Sequence, residues 1–182
     1  MAKKKRSTPT DLDVTRITRT LYFFIAILAL TIVVFDAGNL IQREAVSRRW
    51  ILLTIALGAN TTAWFLGGVN SLKKFVIFGL SLMFILVAGL LTYWERGMAS
   101  SSTIFYIIPL LIVTSLKNRH ALIATAIISA GTYALASVKY FNDFFNEGYR
   151  IQLWGSLLQY IGTIFIAAWL IMIITGLRRD SQ

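Results

Sequence analysis

The sequence predicts an all-α, polytopic integral membrane protein, a bundle of six transmembrane helices with both ends on the cytoplasmic side. Three observations carry this. Of 182 residues, 57% are hydrophobic and 14% are charged, with a mean hydropathy of +0.68; a soluble domain carries about 25% charged residues. The shortfall comes from long uncharged stretches, as in lipid-embedded segments. The 18 Lys and Arg residues, against 8 Asp and Glu, stand beside those stretches rather than in them.

The elements follow in order. Residues 1–20 read as a basic cytoplasmic tail containing Pro9 and turning helical near Asp11, with a transmembrane domain over 21–177 and a short cytoplasmic end at 178–182. The first span covers about 21–41. Its long polar leader and the similar spans that follow favour an uncleaved helix over a secretory signal. The second covers 50–66, the third 75–94, the fourth 100–116, the fifth 121–138 and the sixth 151–177. A bilayer core of about 30 Å needs about 20 helical residues. The fourth run reaches that length only if Ser100 to Ser102 join it, and Pro109 is expected to kink it by removing one backbone donor.

Charge sets the orientation. With the N-terminus inside, the inner face carries Lys3, Lys4, Lys5, Arg6, Arg16, Arg19, Lys73, Lys74, Lys117, Arg119, Arg178 and Arg179, and the outer face Arg43, Arg48, Arg49, Arg96, Lys139 and Arg150. This is the bias of a positive-inside protein. The three arginines of the first outer loop run against it. Trp50, Trp94 and Trp154 fall at outer interfaces and Trp64 near an inner one, whereas Trp169 lies deeper and is expected to pack. The aromatic stretch from Lys139 to Tyr149 reads as an outer loop or short surface helix.

Lipid tails are as apolar as leucine, so helices associate through close packing and interhelical hydrogen bonds. The fifth span repeats Ala126, Ala130 and Ala134 at four-residue spacing, one narrow ridge on a helix, and is expected to lie centrally. Gly58, Gly79, Gly89, Gly155 and Gly162 are further candidate contact points. Phe75, Phe78, Phe84, Phe165 and Ile171 are expected to face lipid.

Few residues suggest chemistry. Asn60, Thr61 and Thr62 make a polar notch in the second span, and Gln159 with Tyr160 a comparable one in the sixth. With Tyr106, Tyr133 and Gln159 the first three form a candidate polar pocket, since buried amides and hydroxyls need partners in hydrocarbon. Asp36, with Asn39, is a candidate outer ion or proton site; the plainer reading is that Asp36 ends the first helix. No acid falls near a predicted midplane, where ion-coupled carriers place them. Cysteine is absent and His120 is the single histidine, so no cofactor or metal is expected. No serine–histidine–acid set or phosphate-binding glycine loop is legible, and the chain is not expected to be an enzyme. The charge of +10, with pI about 10.2, points to anionic lipid headgroups at the cytoplasmic face rather than to nucleic acid.

The run Tyr106-Ile-Ile-Pro109-Leu-Leu, the basic turn Lys117-Asn-Arg119-His120, the small-residue helix Ala121 to Ala130, and Tyr149-Arg-Ile-Gln-Leu-Trp154 opening a long last helix form a series. Over about residues 100–179 it resembles the multi-helix membrane input regions of bacterial sensor histidine kinases and diguanylate cyclases. The resemblance implies a signal-sensing or scaffolding module of a bacterial inner membrane, acting through a protein partner or as a homo-oligomer. In that family the last helix continues into an output domain, whereas this sequence ends at Gln182; the output would then belong to a partner or to a region outside this sequence. The alternative is a small-solute transport component. Six short spans and a basic tail are similar to the substrate-binding membrane subunits of energy-coupling-factor importers. Those subunits place an alanine face on the first helix, and here the ridge is on the fifth.

Overall fold

The computed structural model describes residues 14–40, 42–95, 97, 101–144 and 150–177. The basic run from Lys3 to Arg6, Pro9, Asp11, Arg96, residues 145–149 and 178–182 lie outside them. All the regular structure described is helical: α1 (Val14–Ala37), α2 (Arg43–Leu66), α3 (Lys73–Trp94), a 3-10 segment (Ser101–Tyr106), α4 (Ile107–Thr114), α5 (Arg119–Phe144) and α6 (Arg150–Ile174). Four of these, α1, α3, α5 and α6, are long and apolar enough to cross a membrane.

α1 begins at Val14, ahead of the apolar run that opens at Leu21. Val14 and Thr18 are buried, because the end of α2 lies against them: the amide of Asn60 donates to the Thr18 carbonyl at 3.0 Å. A segment that reads as tail is therefore the first two turns of a packed helix. α1 ends at Ala37, and Asn39 adopts a left-handed φ of 50°. Its N–H bonds the Asp36 carbonyl at 3.0 Å, a turn that asparagine tolerates better than most residues.

The fourth apolar run is not one α-helix. It starts as 3-10 and becomes α-helical at Ile107, so Pro109 falls in the first turn of α4. Backbone donors there have no partner within the helix, and proline's missing N–H costs little. The expected mid-helix kink is thus a change of helix type. Pro109's carbonyl accepts the Ser81 hydroxyl of α3 at 3.1 Å. A tight turn follows, with Lys117 at a φ of 49°, and the Asn118 side chain caps α5 by accepting the N–H of His120 at 2.9 Å. α5 then runs to Phe144. The Lys139–Phe144 part of the expected surface segment is a continuation of this helix, held by the ammonium of Lys139 on Asp143 at 2.9 Å one turn on.

Two apolar clusters fill the bundle. One joins α1, α2, α3 and α4 through Leu21, Ile25, Ala56, Ala63, Ile77, Leu80, Phe84 and Ile112. The other joins α3, α4, α5 and α6 through Ile85, Ala88, Leu110, Val113, Leu122, Ala126, Ile164 and Ala168. α5 packs against α3, α4 and α6, with Ala126 and Ala130 buried and Ala134 partly so. Phe84, expected to face lipid, is buried in the first cluster, while Phe78 and Ile171 pack partly against the second. Phe75 and Phe165 are exposed. Trp169, expected to pack, leaves 53% of its surface exposed. Of the five glycines singled out, only Gly89 meets a neighbour, the Thr132 methyl of α5; a Cβ on Gly58, Gly79, Gly155 or Gly162 would have nothing within 4 Å.

Candidate functional site

Four of the six candidate pocket residues fall in two separate places, and Thr62 and Gln159 are exposed. Asn60 and Thr61 belong to the α1–α2 contact. Asn60 is fully buried, its amide nitrogen on Thr18 and its Oδ1 without a hydrogen-bond partner. Thr61 accepts the Tyr22 phenol at 2.9 Å, while Thr62 is exposed and donates back to the Gly58 carbonyl. Tyr106 and Tyr133 meet elsewhere, in the α3–α6 half, with ring centroids 5.8 Å apart and edge to face. Gln159 joins neither group. It is exposed, and the next residue, Tyr160, points inward to meet Tyr133 with centroids 5.6 Å apart.

The Tyr106–Tyr133–Tyr160 row runs from the interior of this half to a partly buried end at Tyr160. Tyr106 and Tyr133 are both fully buried. The Tyr106 hydroxyl is hydrogen-bonded to the Thr92 hydroxyl of α3 at 3.3 Å, and Thr92 itself donates to the Ala88 carbonyl at 2.8 Å. The hydroxyls of Ser129, Tyr133 and Ser137, four residues apart along one face of α5, are buried without a hydrogen-bond partner. Sequence reading found the two tyrosines and placed Tyr160 with Gln159 in a polar notch of the sixth span; it took Ser129 and Ser137 only as small packing residues and missed Thr92. The four-residue spacing of Ser129, Tyr133 and Ser137 was the available signal. Edge-to-face contact suits the ring quadrupoles, so these rings fill the interior rather than line a hollow.

Asp36 and Asn39 are both exposed at the end of α1. The contact described between them is the backbone bond of the turn, so they act as a helix terminus. The charges that come together lie at the same end of the bundle. Arg48 pairs with Glu44 in its own helix and stands over the Trp94 ring. Arg49 reaches from α2 to Glu95 at the end of α3, at 2.5 Å, and stands 5.6 Å from the centre of the Phe35 ring of α1. Tyr93 donates to Asp143 at 2.6 Å, tying α3 to α5.

Beneath the Arg49–Glu95 pair lies a cleft of about 310 Å³ between α1, α2 and α3. Its walls are apolar: Phe24, Leu28, Ile32 and Phe35 from α1, Leu52, Leu53 and Ala56 from α2, and Phe84, Val87, Ala88 and Leu91 from α3. Phe105 and Ile108 also line it, and Phe24 meets Phe105 edge to face at 5.9 Å. Room exists because α2 and α3 place alanines, Ala56 and Ala88, where larger side chains would fill the gap. No family model, curated protein or solved structure matches this chain.

Proposed function

We propose that this chain is a non-catalytic module of a bacterial inner membrane that senses a signal or scaffolds an assembly, acting through a protein partner or a second copy of itself. It crosses the bilayer six times, with both ends in the cytoplasm. Support for six crossings comes from the contacts of α2 and α4. α2 runs antiparallel to α1 along its whole length, from Arg49 over Phe35, through Thr61 on Tyr22, to Gly67 against Val14. The 3-10 segment and α4 together span about 24 Å, and both pack against α3, tied to it near their junction by Thr92–Tyr106 and Ser81–Pro109. Packing of α2 along α1, and of α4 against α3, supports crossings by these two as well.

The observation that carries the functional reading is the packed interior of the α3–α6 half. Tyr133 packs edge to face on Tyr106 and Tyr160 there, with Tyr106 hydrogen-bonded to Thr92, which suits an element that transmits force or position. A water-filled solute path would need these polar groups to face a cavity. A second reading, a small-solute transport component such as the substrate-binding membrane subunit of an importer, is favoured by the cleft between α1 and α3, whose walls would require an apolar solute.

The test places a photo-crosslinking residue at Phe165 or Trp169 on the exposed face of α6, and at Ala130 as a buried control, in native membranes. The module reading expects one discrete adduct from α6, recovered again when the partner carries the tag, and none from Ala130. A chain that yields no discrete adduct, and by itself carries an apolar solute into liposomes, overturns it in favour of the second reading.

A further inference from the structure

α6 has two faces, and one of them packs within the chain. Leu157, Ile164 and Ala168 are buried in the bundle. Successive residues turn about 100° around a helix, so the opposite side carries Gly155, Gln159, Gly162, Ile166, Trp169 and Ile173, spaced alternately four and three residues apart. All but Gly162 are exposed, and a Cβ on Gly162, as on Gly155, would meet nothing within 4 Å. Such alternation is the seam along which two helices wind in a left-handed pair. Three of these residues are unfavourable where they stand. Glycine inside a helix loses more backbone entropy than any other residue, and neither glycine gains a close contact within the chain. Gln159 lies inside the apolar stretch Trp154–Ile174, about 8 Å along the axis from Trp154 and about 22 Å from Ile174. Thr163 beside it is satisfied, donating to the Gln159 backbone carbonyl at 2.9 Å. Among the described residues the Gln159 side-chain amide has no hydrogen-bond partner, and an amide in hydrocarbon needs one. Residues that break local rules together on one face mark a contact that a single chain does not contain.

We propose that α6 pairs with α6 of a second copy of this chain, the two helices parallel and their Gln159 amides hydrogen-bonded to each other, with Gly155 and Gly162 letting the backbones close in on either side. The amide is what selects the occupant. Copies inserted the same way in one bilayer are related by a two-fold axis along the membrane normal, so each seam residue meets its own equivalent at the same depth. A primary amide carries both donor and acceptor and is complementary to itself: each Nε2 donates to the other Oε1. A second copy thus brings the required group to the required depth. Apolar surface adds little here, because leaving lipid for an equally apolar helix is nearly neutral. The amide pair therefore fixes register, as a single polar seam residue does in a coiled coil, while the glycines admit close backbone packing. The inference names the partner of the module proposed above and rests on that reading only for its role; pairing itself needs no signal.

The experiment introduces one cysteine into the full chain, which has none of its own, and oxidises native membranes with copper phenanthroline. Ile166→Cys, in the seam, is expected to give a disulfide-linked dimer. Leu30→Cys on α1 and Leu135→Cys on α5, at positions 64% and 74% exposed against 62% for Ile166, are expected to give little. Energy transfer between donor- and acceptor-labelled copies in phosphatidylcholine vesicles, followed over protein-to-lipid ratio, then measures the affinity. Gln159→Leu is expected to weaken pairing about tenfold through loss of the amide bonds, and Gly162→Ile to weaken it at least as much. Both positions face away from the bundle, so thermal unfolding of the monomer should not change; should either variant fail to fold, the disulfide pattern decides alone. Equal cross-linking at Ile166, Leu30 and Leu135 signifies random collision and overturns the proposal. Pairing by Gln159→Leu as tight as the parent's overturns the amide tie. An α6 photo-adduct that contains only a different protein overturns the second copy and leaves the module reading standing. Pairing by a chain that also carries an apolar solute unaided leaves this inference and removes that reading.

Discussion

Gly89 is where the α3–α5 contact is set, and Gly89→Ala tests that contact at a single methyl. A Cβ built on Gly89 would stand 2.5 Å from the Thr132 Cγ2 of α5, with the Tyr106 hydroxyl next at 3.7 Å. The first distance is about 1 Å inside ordinary carbon–carbon contact. Thr132 is β-branched, so its methyl moves aside only by a change of rotamer or by a shift of α5. Overpacking of this kind costs about 1–3 kcal/mol, and the gain in helix propensity from glycine to alanine offsets at most about 1 kcal/mol. The expected net loss is about 1–2 kcal/mol. Thr132→Ser removes the opposing methyl and keeps the hydroxyl, so Gly89→Ala/Thr132→Ser should recover most of the loss, giving a coupling energy of about 1 kcal/mol in the double-mutant cycle. Reversible unfolding of the four proteins in mixed dodecyl maltoside and sodium dodecyl sulfate micelles measures it. A Gly89→Ala protein as stable as the parent, or a cycle with zero coupling, refutes the close approach of α3 and α5 at this position.

Three further outcomes are expected. Because the sequence has no cysteine, single-cysteine labelling is unambiguous: in intact cells a membrane-impermeant maleimide should modify Ser47→Cys and reach Ser71→Cys only after permeabilisation, and the reverse pattern would invert the orientation. Tyr106→Phe should destabilise by about 0.5–1 kcal/mol because it removes the partner of Thr92, whereas Tyr133→Phe, which deletes a buried hydroxyl without a partner, should be neutral or stabilise by about 1 kcal/mol in the same micelle titration. Asn118→Ala should cost about 1 kcal/mol through loss of the α5 cap, and Asn118→Ser should restore most of it.

What could be read in advance depended on whether a signal was local. The ridge of Ala126, Ala130 and Ala134 announces its own buried face, because three small residues at helical spacing need no knowledge of the neighbour. Tyr106 and Tyr133 were legible as polar atoms in apolar runs that had to find company. Gln159 was not, because one residue along a helix is about 100° of rotation, and hydropathy alone does not decide whether Gln159 or Tyr160 turns inward. The early start of α1 was hidden for a different reason. Val14 to Thr20 is polar by composition, and only the Asn60 amide arriving from 42 residues away makes Thr18 an interior position. Trp169 and Phe84 were exchanged between core and surface because both faces of a membrane helix are apolar, so the contrast that marks a soluble core is absent. The cleft had no linear signal at all: its lining comes together from three helices, with Ala56 and Ala88 contributed by two of them.

The polar contacts have a distribution that packing alone does not explain. In hydrocarbon an apolar side chain gains little by turning from lipid to a neighbouring helix, so apolar surface specifies neither which helices pair nor at what height. Here successive pairs carry polar ties: Asn60 on Thr18 and Tyr22 on Thr61 between α1 and α2, Arg49 on Glu95 between α2 and α3, Ser81 on Pro109 between α3 and α4, and Tyr93 on Asp143 between α3 and α5. α3 takes part in three of these and supplies Ala88 to both the cleft and the tyrosine-bearing cluster. It is therefore the wall that the two halves share. An occupant of the cleft would press on the same helix whose opposite side, through Gly89 and Thr92, seats α5 and the row of rings leading to α6. The α1 side also reaches the second half through Phe24 on Phe105 and through α4, which packs against α6, so α3 and α4 together join the halves, and the Gly89–Thr132 contact lies on the α3 side of that junction.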